Sequence, residues 1–286
     1  MGHLEARAGL AGKAAIIVGG GGGLGRACAD DLAAAGVSVL VADRNPDFLA
    51  ATEERAAANG TRVLTFEADA RDTDAMHELF ALADRELGRL DVLCNVVGGT
   101  FHQPFEESSP KGWDAVIRAN FLWLLTTTQL AIPRMRAVGG GSIVNFTSIE
   151  AHRAAPNYAV YSGMKAAVTN YTRTLALELG PDAIRVNCIA ADITPTEGLG
   201  DMLFGTLTEE QRVLMQQMAI PMARVGTYED IGGCALFLAS DLSRYVTGTT
   251  IHPDGGAIAS SGWFNWPGRG YSNMPPAEVV ALYSDE

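Results

Sequence analysis

Ala14-Ala15-Ile16-Ile17-Val18-Gly19-Gly20-Gly21-Gly22-Gly23-Leu24-Gly25 is the stretch that decides the fold of this chain. Ala14–Val18 reads as a short buried strand, and Gly23–Ala35, ended by Gly36, reads as a helix. Glycines between a strand and a helix permit a tight turn and let backbone N–H groups approach a pyrophosphate. The phosphates then sit at the positive end of the helix. Gly19, Gly23, Leu24 and Gly25 are therefore candidate dinucleotide-binding residues. A merely flexible glycine loop is the competing reading, but strand and helix patterns bracket the run closely.

Outward from this turn, apolar runs alternate with segments of helical period. Strands are predicted at Ser38–Ala42, Arg62–Glu67, Asp91–Asn95, Ser142–Thr147, Ile184–Ala190 and Thr249–His252. Helices are predicted at Pro46–Asn59, Asp72–Leu87, Lys111–Val138 with an interruption near Pro133, Tyr158–Leu179 and Tyr228–Ala239. Strands this short and apolar suit a parallel sheet covered on both faces. The alternation predicts an α/β, doubly wound, Rossmann-like sheet in a single domain spanning residues 1–286. Residues 192–222 and the tail 257–286 depart from the rhythm.

Two further groups of residues carry chemistry. Asp43 ends the second strand, where a carboxylate binds both ribose hydroxyls of NAD and repels the 2′-phosphate of NADP. Arg44 beside it offers a partner for such a phosphate, so NAD is favoured over NADP. Asp69, followed by Ala70, is placed either to meet the adenine edge or to cap the next helix. Tyr161 and Lys165 stand four apart on one helix face, thirteen residues after the strand-end Ser148. A free tyrosine has a pKa of about 10, and a nearby ammonium favours its phenolate. Tyr161 is thereby poised to exchange a proton with an alcohol or ketone, and Ser148 to hydrogen-bond the same oxygen.

Over roughly its first 256 residues the chain resembles the short-chain dehydrogenase/reductase family. Lys13–Gly25 is similar to that family's opening strand and T-G-x-x-x-G-x-G loop. Asn95-Val96-Val97-Gly98 stands in place of its N-N-A-G motif, which implies cofactor roles for Asn95 and Gly98. Asn120 matches the helix asparagine, implying a bound water that relays protons between Lys165 and solvent. Ser148, Tyr161 and Lys165 match the family's serine, tyrosine and lysine, Thr196 its carboxamide-bonding threonine, and Asp254-Gly255-Gly256 its late D-G-G segment. The chain departs at Val18 for Thr, at Val96-Val97 for Asn-Ala, and at Ala191-Asp192 for Pro-Gly. That last segment lies near the nicotinamide in the family, so Asp192 bears on cofactor or substrate fit.

The expected activity is an NAD-dependent dehydrogenase or ketoreductase acting on a hydrophobic, cyclic or aromatic secondary alcohol. The alternatives are an NADPH-dependent 3-ketoacyl thioester reductase and a catalytically idle NAD-binding scaffold or sensor. Residues 192–222 carry Leu199, Met202, Leu203, Phe204, Leu207, Met215 and Met218 and are read as a substrate lid over Leu199–Phe204, with Met215 and Met218 on an amphipathic helix packing on the core. Leu199 and Phe204 are candidate substrate contacts, as are Glu150 and His152. Phe101 and His102 are placed at the pocket mouth. Trp263, Phe264, Trp266 and Tyr271 are read as anchors against a neighbouring subunit of a homotetramer or homodimer. The 286 residues carry 21 basic and 33 acidic side chains, a net charge of −12 that argues against nucleic acid and anionic membranes as partners. Cys28, Cys94, Cys188 and Cys234 have no C-x-x-C pairing, so no disulfide framework or metal site is expected. No apolar run is read as reaching transmembrane length and no leader pattern is found, so a cytoplasmic location is expected.

Overall fold

The computed structural model describes residues 2–196 and 205–282. Seven strands form one parallel sheet: β1 (Ala14–Val18), β2 (Ser38–Asp43), β3 (Val63–Glu67), β4 (Val92–Asn95), β5 (Gly141–Ser148), β6 (Ile184–Ala191) and β7 (Thr250–Ile251). Their order is β3-β2-β1-β4-β5-β6-β7. The winding reverses between β1 and β4, which opens a crevice at the carboxyl ends of those strands.

Alternation along each strand feeds two cores. Ala15 and Ile17 of β1, Val39 and Val41 of β2, and Cys94 of β4 face one side. They pack on α2 (Gly23–Ala34), on α3 (Pro46–Ala58) through Leu49 and Ala56, and on the later helix Tyr228–Ala239. Ile16, Val18, Leu40 and Leu93 face the other side, against α4 (Thr73–Glu86), α6 (Trp123–Ala137) and α7 (Ala159–Leu179). Every residue of β1 is buried, which is why its sequence is apolar throughout rather than alternating.

The long helical region runs from Pro110 to Ala137 and differs from its sequence reading. It passes through Pro133 without ending. Pro133 lies near the C-terminus, where one lost N–H bond is outweighed by burial of Trp123, Leu124, Ala131 and Met135. The departure comes earlier, in a π turn over Arg118–Leu122 that joins α5 (Pro110–Ile117) to α6. An 18-residue window within this 28-residue run has a mean hydropathy of 1.2, enough to cross a membrane by length and composition alone. Here it is a core helix whose apolar side packs on the sheet.

Outside the alternating strands and helices, the structure adds a first helix and a tail hairpin that had no counterpart in the sequence reading, and forms a helix around Met215 and Met218. An exposed first helix, α1 (His3–Ala8), ends at Gly9 with φ of 59°. After residue 204, α8 (Glu209–Ala219) starts with a Thr208/Gln211 capping box, and α9 (Tyr228–Ala239) follows. The tail forms an antiparallel hairpin, Phe264–Trp266 with Gly270–Ser272, whose first strand packs on α8 of the same chain. That contact within the chain takes Trp266, whereas Trp263, Phe264 and Tyr271 keep about half their surface exposed.

Candidate active site

A cleft of about 680 Å³ runs along the carboxyl ends of the strands, from Asp43 and Asp69 at one end to Ser148 and Tyr161 at the other. The glycine turn forms its floor. Gly19, at φ of 83°, and Gly20 are pinned to β2 by N–H bonds to the Ala42 carbonyl at 2.7 and 3.2 Å. A Cβ on Gly19 would lie 2.9 Å from the Val97 backbone nitrogen. Gly22, Gly23 and Leu24 line the cleft where α2 begins, and Gly22 brings no side-chain cap to that helix. A helix start facing a cleft favours an anion through its dipole. Gly25 plays a different part from the one read in the sequence. It does not line the cleft; a Cβ there would collide with the Gly19 carbonyl, so Gly25 allows α2 to pack on the turn. Gly25→Ala is expected to displace the turn and weaken dinucleotide binding about tenfold or more, checked by calorimetric titration.

Asp43 lines the cleft, with Oδ2 accepting the Gly21 N–H at 3.1 Å and Oδ1 accepting the Asn45 N–H at 3.0 Å. The turn thus holds the carboxylate in place while spare lone pairs remain. Arg44, Asp69 and Ala70 line the same end. Asp69 does not cap the next helix; Asp72 does, accepting the Asp74 and Ala75 N–H groups. Asp69 instead holds Arg71, whose side chain keeps its carboxyl below the usual range. Val96, Val97 and Gly98 line the cleft, but Asn95 does not. It is buried behind the cleft wall, where Nδ2 donates to Asn145 Oδ1 at 2.9 Å and Oδ1 accepts from Thr127 at 2.9 Å. The Asn95 side chain braces β4, β5 and α6 behind the cleft wall.

At the other end, Ser148 closes β5, and Tyr161 and Lys165 project from the first turns of α7. Tyr161 and Ser148 both line this end of the cleft. Ser148 Oγ accepts the Glu150 N–H at 3.2 Å, which fixes its direction. Lys165 is buried; its Nζ donates to the Phe146 carbonyl at 3.0 Å and stands 5.7 Å from the Tyr161 ring centroid. Burial lowers the Lys165 pKa to about 8. Tyr161 departs from expectation: burial, with the Glu150 charge and Tyr158, pushes its pKa up, against the hydrogen bond from Ser148 that pulls it down. In the free protein, desolvation of a phenolate outweighs the neighbouring ammonium.

Asn120 lies in the π turn, a feature that often marks functional sites. Its Nδ2 donates to the Gly99 carbonyl at 2.7 Å and the Val116 carbonyl at 2.8 Å, and Oδ1 accepts the Gly99 N–H at 3.2 Å. A Cβ on Gly98 would sit 3.0 Å from both Asn120 Oδ1 and Lys165 Nζ. Gly98 therefore keeps open a space bounded by both groups. That space, the start of α2 and the carboxylate of Asp43 fit a dinucleotide lying along the cleft.

Asp192, Thr194 and Thr196 form the opposite wall with Ile193. Asp192 is mostly buried, and burial raises its pKa against the pull of Arg153. Arg153 had no place in the sequence reading; its only local signal is the i,i+3 spacing from Glu150, with which it pairs at 2.8 Å. Glu150 and His152 do not line the cleft. The His152 ring packs edge-on against His252, centroids 4.7 Å apart, and burial lowers its pKa. Leu199 and Phe204 lie outside the described residues. His102 is tied to Asn157 at 3.0 Å on the loop that leads to α7. Phe101 is partly exposed beside Gly112.

A family model described as Enoyl-(Acyl carrier protein) reductase matches residues 19–257. The chain is 37% identical over 245 residues to an uncharacterized oxidoreductase of Mycobacterium tuberculosis, covering 85% of this chain and 91% of that one. It is 34% identical over 248 residues to a 2,5-dichloro-2,5-cyclohexadiene-1,4-diol dehydrogenase of Sphingobium indicum, covering 86% and 96% of the two chains. Among solved structures, it matches a 7 alpha-hydroxysteroid dehydrogenase complexed with NADH and 7-oxo glycochenodeoxycholic acid at a TM-score of 0.82 and 32% identity, over 90% of this chain and 98% of that one. The glycine turn, the Ser148–Tyr161–Lys165 grouping and these likenesses converge: the chain belongs to the short-chain dehydrogenase/reductase family of oxidoreductases.

Proposed function

We propose that the protein is an NAD-dependent dehydrogenase that interconverts a hydrophobic, cyclic or aromatic secondary alcohol and its ketone. The observation that carries this reading is the meeting of Ser148, Tyr161 and buried Lys165 at one end of a cleft whose far end holds Asp43. When bound, NAD supplies a nicotinamide C4 that accepts or returns the hydride. Tyr161 takes the carbinol proton in oxidation and gives it back in reduction. Ser148 orients the substrate oxygen and stabilises charge that develops on it. The Lys165 ammonium favours the phenolate of Tyr161, and Asn120 shares with Lys165 the space through which a water relays protons.

Gly19, Gly23 and Leu24 receive the pyrophosphate, Asp43 the adenosine ribose, and Asp69 and Ala70 the adenine edge. Val96 to Gly98 and Thr196 flank the nicotinamide half. Asp43→Ser removes the carboxylate that accepts the ribose hydroxyls and leaves Arg44 beside the site. NAD affinity is expected to fall about tenfold and NADP affinity to rise, as read from their dissociation constants. Unchanged affinities for both would remove the basis for preferring NAD.

The substrate class rests on two likenesses, since the curated diol dehydrogenase and the solved steroid dehydrogenase are both named for cyclic substrates. Residues 192–222 would act as a lid, with Leu199 and Phe204 against the substrate and Glu150 and His152 supporting its rim. The exposed Trp263, Phe264 and Tyr271 suit contact with another copy in a homotetramer or homodimer. A cytoplasmic location goes with this reading. The matching family model is described by a reductase of a thioester-borne acyl chain, which supports a second reading, an NADPH-dependent 3-ketoacyl thioester reductase. Hydride transfer followed at the nicotinamide absorbance separates them. Cyclic secondary alcohols with NAD should be turned over and acyl thioesters with NADPH should not; the reverse pattern would establish the second reading.

A further inference from the structure

Asp192 is a carboxylate in the cleft for which proton transfer at Tyr161 provides no role. It follows Ala191, which pairs in register with Ser148 across β5 and β6, so it stands one residue past the neighbour of the catalytic-end serine. It lines the cleft, and its side chain is 12% exposed. Its compensation is partial. Arg153 approaches Asp192 Oδ1 only to 3.8 Å, because its closer bond, at 2.8 Å, goes to Glu150. The Ile193 N–H adds a hydrogen bond. Glu150 and Asp254 are the other charges acting on Asp192, so three carboxylates share one guanidinium. Lys165 is turned towards the Phe146 carbonyl. Burial pushes the Asp192 pKa up, as it must where a carboxylate lacks a full counter-charge. On the same wall, Thr194 is 2% exposed and its Oγ1 has no hydrogen-bond partner. A wall with an undercompensated carboxylate is suited to a cationic ligand.

The proposed reaction places such a ligand here. The Tyr161 and Ser148 hydroxyls fix the carbinol oxygen, so the hydride-accepting ring lies at this end of the cleft. The oxidised and reduced rings differ by one positive charge. We infer that Asp192 is a specificity residue that discriminates between redox states of the cofactor, binding the oxidised nicotinamide more tightly than the reduced one. The inference rests on the reading of the cleft as a nicotinamide dinucleotide site. By linkage, tighter binding of the oxidised form draws the equilibrium on the protein towards oxidised cofactor and alcohol.

The test is calorimetric titration of the full chain with NAD⁺ and with NADH, for the wild type, Asp192→Asn and Asp192→Gly. The wild type should bind NAD⁺ more tightly. In Asp192→Asn, the affinity for NAD⁺ should fall about tenfold, as expected for loss of one partly screened charge at close range, with NADH nearly unaffected. Asp192→Gly should move the ratio in the same direction, and it decides the matter if the amide variant fails to fold. Equal weakening of both forms, or an unchanged ratio, would overturn the inference while leaving the dinucleotide reading intact. Binding of the NADP pair alone would sink the NAD preference, and the same ratio would then be read on NADP⁺ and NADPH. If neither pair binds, the dinucleotide reading and the inference fall together.

Discussion

Tyr161→Phe is expected to lower turnover by about 10²–10⁴-fold, the usual worth of a positioned general acid or base, while cofactor affinity stays close to that of the wild type. The substitution keeps the aromatic ring in contact with Tyr158 and Lys165 and removes only the oxygen. Ser148 remains on the cleft wall, where it can hold a substrate oxygen but cannot exchange its proton. The raised Tyr161 pKa adds a pH signature to the wild type. A tyrosine held protonated is ready to donate in ketone reduction, whereas alcohol oxidation needs the phenolate. Oxidation should therefore accelerate as pH rises towards that pKa, and reduction should slow. Single-turnover hydride transfer in both directions, across a pH series, reads both effects. Wild-type rates in the phenylalanine variant would remove Tyr161 from the chemistry.

The parts legible in the sequence were those whose meaning is local. The β1 strand, the glycine turn and α2 are contiguous, and each constrains the next through backbone geometry. The i,i+4 spacing of Tyr161 and Lys165 works the same way, since a helix alone dictates that they share a face. What failed to show in the sequence depends on partners brought together by the sheet. Asn95 looks like a cleft residue from its motif, but its partners Asn145 and Thr127 lie on β5 and α6, and only strand pairing puts them within bonding distance. Gly25 and Gly19 look equivalent within the glycine run, yet one packs a helix and the other lines a cleft. The π turn at Arg118–Leu122 has no compositional sign comparable with Pro133, which drew the reading to the wrong break. The direction of the Tyr161 shift was misjudged for a related reason. The neighbouring lysine is visible in the sequence, whereas the depth of burial that opposes it is not. Arg153, which links Glu150 with Asp192 on the next strand's extension, belongs to the same class.

Lys165→Met tests the electrostatic half of the site, and its effects on activity and on stability have different pH dependences. Removing the ammonium leaves nothing cationic beside the Tyr161 ring to offset burial, so turnover should fall by about 10²-fold or more. For stability, the folded-state pKa of Lys165 is about 8, below the ordinary lysine value of 10.5, because burial disfavours the ammonium. Between those values the unfolded chain binds a proton that the folded chain has released. Stability contributed by this group therefore rises with pH through that window, and at pH 7 the buried ammonium carries a penalty of about 3 kcal/mol. Cys188 runs the other way. Burial raises its pKa from 9.0 to about 11, so its contribution falls across the overlapping range. The methionine variant retains Cys188, so the wild-type-minus-variant difference in unfolding free energy reports the lysine together with its charge coupling to Cys188. That difference should shift in favour of the wild type as pH rises from about 8 to about 10.5, on top of a constant term for the lost bond to the Phe146 carbonyl. Denaturant unfolding of both proteins at a series of pH values gives the measurement. A difference that is flat in pH would mean that Lys165 is not held at a lowered pKa. Its pull on the Tyr161 proton would then have to be argued from a lysine of ordinary basicity, charged across the whole range in which the protein works.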